Sequence, residues 1–187
     1  ASPDSEYGWE KLFSERLYFS YNRNFGMDCR VARYHNIFGP FGTWMGGKEK
    51  APAAICRKVI EADEGSSIKI WGDGLQTRSF LYIDDCIDAT LKLTRSNSFT
   101  GPYNIGSEEM ISINNLAYLV MKIAKKNLKI ENIPGPEGVR GRSSHNELIM
   151  KDLKWKPKYN LFEGLSKTLP WIESQVENQK AAQITNI

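Results

Sequence analysis

Apolar positions recur at helical spacing between Glu6 and Phe25 (Leu12, Leu17, Phe19, Tyr21), and the run stops at Gly26. That spacing predicts an opening helix closed by a glycine C-terminal cap. Asp28 to Tyr34 alternates and is β-branched or aromatic enough for a short strand. His35 to Gly47 carries Gly39, Pro40, Gly42, Gly46 and Gly47 and predicts a loop. Pro52 suits the first turn of a helix running to about Ala62. Ile68 to Trp71 predicts a strand, Gly72-Asp73-Gly74 a turn, and Ser79 to Ile83 another strand. Asp84 and Asp85 are expected to cap a helix reaching about Thr94. Tyr103 to Ile105 predicts a strand ended by Gly106, and Ser112 caps a long amphipathic helix from Ile113 to Lys126. A strand at Ile130 to Ile133, a loop from Pro134 to Arg142, and helices over about His145 to Leu153 and Leu161 to Val176 complete the order. Glu177 to Ile187 is polar and expected to fray. The alternation of helices and strands indicates an α/β architecture, with no internal repeat.

Composition narrows the function classes. At 187 residues the chain can hold one ordinary domain, and 41% hydrophobic with 25% charged residues is usual for a globular protein. A net charge of +3 suits a surface that attracts phosphates and does not argue for a nucleic-acid partner. No apolar run approaches the ~20 residues that span a bilayer, so no membrane partner is expected. Cys29, Cys56 and Cys86 are odd in number and lack metal-ligand spacing. They read as reduced thiols of a cytoplasmic protein, and no metal is expected. Two histidines, His35 and His145, leave little material for a histidine-based triad. The chain begins at Ala1 without an initiating Met, which fits a piece of a longer protein; terminal processing would do the same.

Tyr7-Gly-Trp-Glu-Lys11 places a phenol and an ammonium one helical turn apart on one face. An ammonium beside a phenol favours the phenolate, which makes the Tyr a usable acid/base. Arg33-Tyr-His-Asn36-Ile-Phe-Gly39-Pro40 lies where a strand delivers residues to a loop, and Asn36 could bind a hydroxyl or a phosphate. A turn with a satisfied Asn is the plain alternative. Gly46-Gly47-Lys48-Glu49-Lys50-Ala51-Pro52 sets lysines just before a helix N-terminus that favours anions. A solvated basic loop would look the same, and Lys58 on the following helix is by itself an ordinary surface Lys. Trp71-Gly72-Asp73-Gly74-Leu75-Gln76-Thr77-Arg78-Ser79-Phe80 is the most specific stretch: an extended segment that turns Gln76 and Arg78 to one side. The Arg fork matches a diphosphate, and a structural hairpin would not need it. Gly135-Pro136-Glu137-Gly138-Val139-Arg140-Gly141-Arg142 offers two more arginines in a glycine-rich loop.

Taken in this order, these residues resemble the extended short-chain dehydrogenase/reductase family, and within it the nucleotide-sugar epimerases and dehydratases. The resemblance runs from Tyr7 to about Gln175. It includes the pieces above together with Tyr82-Ile-Asp84-Asp85, Asn104-Ile-Gly106, Leu153-x-Trp155-x-Pro157 and Glu163-Gly164-Leu165. Three longer runs, Phe41 to Ala54, Trp71 to Phe80 and Ile133 to Arg142, resemble a branch that inverts two carbons of a GDP-hexose.

The resemblance implies the C-terminal strands and helices of a Rossmann-type sheet plus a small α/β substrate-binding lobe. Residues 1–40 would be the remnant of an NAD-binding domain. Residues 41–176 would be mainly the nucleotide-sugar lobe, with Rossmann elements interleaved over about 76–106, and 177–187 a frayed tail. It further implies that Tyr7 is the redox acid/base, Lys11 its partner on the nicotinamide ribose of NAD, and Lys50 an acid/base at C3 and C5 of the sugar. Asn36, Glu49, Lys50, Ala51, Lys58, Gln76, Thr77, Arg78 and Arg142 would contact a nucleotide-diphosphate sugar. The implied partner acid/base is a cysteine upstream of Tyr7, a position that none of the three cysteines here matches; Cys29 reads as strand core, Cys56 as a helix residue and Cys86 as packing after Asp85. No Gly-x-x-Gly-x-x-Gly follows a strand, so the chain is expected to be inactive alone and to form a homo-oligomer over the surfaces this leaves bare. Other readings stay open: another nucleotide-sugar 4-epimerase, a 4,6-dehydratase, or a non-catalytic sugar-nucleotide-binding module.

Overall fold

The computed structural model describes residues 3, 5–98, 100–135 and 139–185. The first helix, α1 (Glu6–Phe25), starts at Ser5, whose hydroxyl accepts from the Gly8 N–H at 3.3 Å. It stops where Gly26 turns left-handed at φ 68° and donates its N–H to the Asn22 carbonyl. None of its residues is buried. The chain then passes through β1 (Ala32–Tyr34), β2 (Ile37–Phe38) and α2 (Ala51–Glu61). The strands β3 (Ser67–Trp71), β4 (Thr77–Ser79) and β5 (Leu81–Tyr82) lead into α3 (Ile83–Arg95). After β6 (Tyr103–Ile105) and β7 (Met110–Ser112) come α4 (Ile113–Ala124), β8 (Lys129–Ile133) and β9 (Gly141–Arg142). The helices α5 (Glu147–Leu153) and α6 (Leu161–Thr185) close the described chain.

Strand pairing is almost wholly parallel. β1 pairs with β6, β2 with β5, β3 with β8 and β4 with β9; only β4 and β7 run antiparallel. Each strand separates two environments through its period-2 alternation. On β5, Leu81 enters one core cluster with Tyr103, Ile105 and Trp155, whereas Tyr82 enters another with Phe38 and the faces of α2, α4 and α6. On β3, Ile68 and Ile70 are buried and Trp71 is left exposed. Helix α4 buries Leu116, Ala117, Val120 and Met121 along one stripe, each large apolar side chain contributing about 1.5–3 kcal/mol. These packed helices hold the strand ends that bear the polar residues.

Several boundaries depart from the sequence reading. Asp84 and Asp85 do not cap α3; the N-cap is Tyr82, without a side-chain cap bond. Asp85 is instead 1% exposed and turns inward, each carboxylate oxygen accepting one backbone N–H, from Lys158 and Tyr159, both at 3.0 Å. The tail expected to fray continues α6 as far as Thr185, since Glu, Gln, Lys and Ala are good helix formers and the first turns are already anchored in the core. Cys29 precedes β1 and is half-buried rather than core, while Cys56 and Cys86 are buried on their helices. The loop expected over His35 to Gly47 contains β2, a strand of two residues that exists through its pairing with β5.

Candidate functional site

A cleft of about 550 Å³ opens between the N-terminus of α2, the end of β3 and β4. Six residues singled out by sequence line it from one side: Asn36, Glu49, Lys50, Ala51, Lys58 and Gln76. Arg78 also reaches it, so Gln76 and Arg78 do face one cleft as the alternation of an extended segment requires. Two residues do not line it. Thr77 is not among the lining residues, and its backbone N–H donates to the Arg140 carbonyl at 2.9 Å. Arg142 stands beside Arg78 in the β4–β9 register and lines a second recess instead. Pro136, Glu137 and Gly138, in the same sequence run, lie outside the described residues.

The turn that presents Gln76 is held from several sides. Asn114 Nδ2 donates to the Asp73 carbonyl at 3.0 Å, Asn132 Nδ2 to the Gly72 carbonyl at 2.9 Å, and Arg140 to the Asp73 carboxylate at 2.8 Å. Gly74 has φ 69°, and a Cβ there would lie 1.9 Å from Asn114 Oδ1, so only glycine fits. Gln76 is 7% exposed; its Nε2 reaches the Trp71 carbonyl at 3.4 Å, and its Oε1 has no partner among the described residues. Gln76 is a lining residue of the cleft, and its oxygen is a buried acceptor without a partner among the described residues. Asn36, at φ 47°, commits its Nδ2 to the Ser79 carbonyl at 2.9 Å, which leaves Oδ1 as its remaining acceptor. Trp71, half-exposed at the cleft wall, is backed by Gly135, where a Cβ would come within 2.7 Å of the indole.

The electrostatics are cationic. Lys50 is exposed on the rim, not enclosed, and forms the α2 N-cap without a side-chain cap bond. Pro52 carries no N–H, so the first-turn donors of α2 that lack a side-chain cap are the N–H groups of Ala51 and Ala53. Lys58 donates to the Lys69 carbonyl at 2.7 Å, and burial, followed by the Arg57 cation, lowers its pKa against the pull of Glu49. Burial and then Arg142 lower that of Arg78. Burial works to raise the Glu49 carboxyl, but its own backbone N–H, Arg57 and the Gly47 N–H together hold it below the usual carboxylate value.

Tyr7 and Lys11 line the second recess, of about 760 Å³, which Arg142 and His35 also line. The Lys11 ammonium is 5.0 Å from the Tyr7 ring centroid, and the ring is 70% exposed. The pair is on one helix face as its spacing requires. His35 has its pKa lowered, by burial first and by Arg142 and Arg33 against a hydrogen bond with Asn104. Sequence reasoning passed over Arg57, Trp71 as a wall and His35; only the i,i+4 spacing of Arg57 and Glu61 was visible, and it signals a surface pair. Among the described residues no three His, Cys, Asp or Glu side chains gather as a metal site needs.

Parallel α/β strands and a Tyr–Lys helix beside one recess agree with the fold of an extended short-chain dehydrogenase/reductase. The chain belongs to the NAD dependent epimerase/dehydratase family, which matches residues 1–106. It is 53% identical over 181 residues to GDP-mannose 3,5-epimerase of Arabidopsis thaliana, a match covering 97% of this chain and 47% of that protein. The chain thus spans about half the length of the curated relatives it matches. Among solved structures it is similar to UDP-glucose 4-epimerase of Thermotoga maritima with UDP-glucose, at TM-score 0.84 and 27% identity over 94% of this chain and 55% of that one. It is also similar to UDP-glucuronic acid 4-epimerase of Bacillus cereus in complex with UDP-glucuronic acid and NAD, at TM-score 0.80 and 27% identity over 93% and 54%. Among the described residues no helix is long and apolar enough to cross a membrane.

Proposed function

We propose that the chain serves a GDP-mannose 3,5-epimerase activity and that its cleft holds the nucleotide-diphosphate hexose. The supporting observation is that Lys50 at the N-terminus of α2, Lys58 in its last turn and Arg78 line one cleft, in a chain 53% identical to that plant enzyme. Arg78 and the α2 N–H groups would bind the diphosphate, Trp71 would lie against the base, and the open oxygens of Asn36 and Gln76 would accept from ligand donors. Glu49 and Ala51 shape the same wall, and Thr77 and Arg142 would act from the neighbouring strands.

The Tyr7–Lys11 pair and the donors around it fit the ribose and carboxamide of NAD, which when bound would take hydride from the sugar C4 and return it. Tyr7 would hold and move the C4 hydroxyl proton, with the Lys11 ammonium beside its ring. Lys50 would remove and return a proton at C3 and C5, which are acidic once C4 is at the ketone level. Inversion needs a second group on the opposite ring face. None of the cysteines here supplies it: Cys56 is fully buried with its thiol pushed to about 12, Cys86 is buried, and Cys29 lines neither recess. The chain alone is therefore expected not to turn over GDP-mannose, and detection of epimerised sugar by NMR after adding NAD would refute this.

A 4-epimerase reading draws on the solved structures, and a purely sugar-nucleotide-binding role would use the same cleft. Calorimetric titration with GDP, GDP-mannose and UDP-glucose discriminates: selectivity for the GDP ligands supports the proposal, and preference for UDP-glucose overturns it. Helix α1 exposes Trp9 and Phe13, one turn apart on one face, by 60% and 66%, so a homo-oligomer burying this face is expected in a cytoplasmic setting. Light scattering that returns a monomer would remove that expectation.

A further inference from the structure

The loop 41–50 leading into α2 has little regular structure of its own, and its polar groups gather on one side chain. Arg57, two turns into α2, donates through Nη2 to Glu49 Oε1 at 3.0 Å and through Nε to the Trp44 carbonyl at 3.3 Å. Its Nη1 is braced from behind by Glu61 Oε2 at 3.0 Å. The other oxygen of Glu49 accepts the Gly47 N–H at 2.7 Å, and Gly47 sits at φ 84°, a turn that only this tether and glycine maintain. The Glu49 side chain is 7% exposed, with Arg57 on one carboxylate oxygen and the Gly47 N–H on the other. It therefore faces the cleft as part of its frame. The next residue in the chain is Lys50, whose backbone forms the α2 N-cap.

We infer that Arg57 and Glu49 form a clamp whose role is to position Lys50 and the α2 N-terminus for the ligand, with neither side chain touching the reacting atoms. Removing the Arg57 fork leaves a buried carboxylate without its cation, which expels Glu49, releases Gly47 and lets the Lys50 backbone drift from the cleft. The guanidinium serves three acceptors in three directions, which an ammonium on a flexible stem reproduces only in part.

This inference rests on the nucleotide-sugar reading of the cleft, and one experiment separates the two. The chain and its Arg57→Gln, Arg57→Lys and Glu49→Gln variants are examined by amide exchange at Gly47, by the NMR signal of the Lys50 Cε, and by calorimetry with GDP-mannose. Arg57→Gln is expected to speed Gly47 exchange at least tenfold, to abolish the ligand-induced shift of Lys50, and to weaken GDP-mannose binding about tenfold. Exchange at Tyr103, in the distant β1–β6 pair, should stay within twofold, and Arg57→Lys should recover part of each loss. Glu49→Gln should release Gly47 to the same degree, and it carries the test if Arg57→Gln does not fold. Unchanged Gly47 exchange overturns the clamp, and faster exchange with unaltered affinity and Lys50 shift overturns the positioning role. Absence of GDP-mannose binding by the unsubstituted chain instead removes the reading of the cleft, while Gly47 exchange still decides the clamp.

Discussion

Replacing Gln76 by Met asks whether the cleft is built for a ligand at the expense of the fold. Met matches the length of Gln and carries no strong hydrogen-bonding atom. Gln76 Oε1 is buried without a partner among the described residues, so its removal relieves a desolvation penalty of about 1–3 kcal/mol. Against this stands the bond from Nε2 to the Trp71 carbonyl, long at 3.4 Å and contributing about 0.5 kcal/mol. The balance is a stabilisation of about 0.5–2.5 kcal/mol, or a rise in Tm of about 1–10 °C at 2–4 °C per kcal/mol. Urea denaturation followed by tryptophan fluorescence reads the change. With GDP-mannose at 100 times its Kd, the unsubstituted chain gains about 2.7 kcal/mol by mass action, and the Gln76→Met chain gains less at the same concentration. A variant less stable than its parent by more than about 0.5 kcal/mol, or one that keeps the full ligand-induced gain, refutes the reasoning.

Two further expectations concern the frame. Lys126 Nζ donates to the carbonyls of Val59, Ile60 and Ala62 at 3.0, 2.7 and 2.7 Å, closing the C-terminus of α2, so Lys126→Met should cost about 2–4 kcal/mol in denaturant unfolding. A loss under about 0.5 kcal/mol would show that water replaces the ammonium there. His35 has its pKa lowered in the folded chain, so the unfolded chain binds its proton first. Its contribution is present above 6.5 and is lost as pH falls through the lower folded value, and unfolding curves from pH 7.5 to 5 should show a decline that His35→Gln removes.

Most of the helices were legible. Gly26 and Ser112 act as caps because a cap bond closes within three or four residues, a distance over which sequence is structure. Short strands were not legible in the same way. β2, β7 and β9 hold two or three residues each and exist because β5 and β4 lie beside them, so no periodicity announces them. The same limit explains Asp85: a carboxylate at a helix start reads as a cap, and only the approach of the chain at Lys158 turns it inward. Of the candidate site residues, the sequence marked the cluster through its glycines and cations but could not separate cleft-facing Arg78 from Arg142, since both lie on extended segments and their strand register decides which recess each meets.

Sequence by itself determined the order of helices and strands, the Tyr7–Lys11 face and the alternation that turns Gln76 with Arg78, because each follows from spacing along one element. The tertiary structure alone decided that Glu49 is held by Arg57, that Gln76 keeps an open oxygen, and that Tyr7 and Lys50 face separate recesses. Those outcomes depend on how α2 packs against α4 and α6 and how β3 and β4 end beside it, and such contacts join residues whose separation along the chain carries no signal.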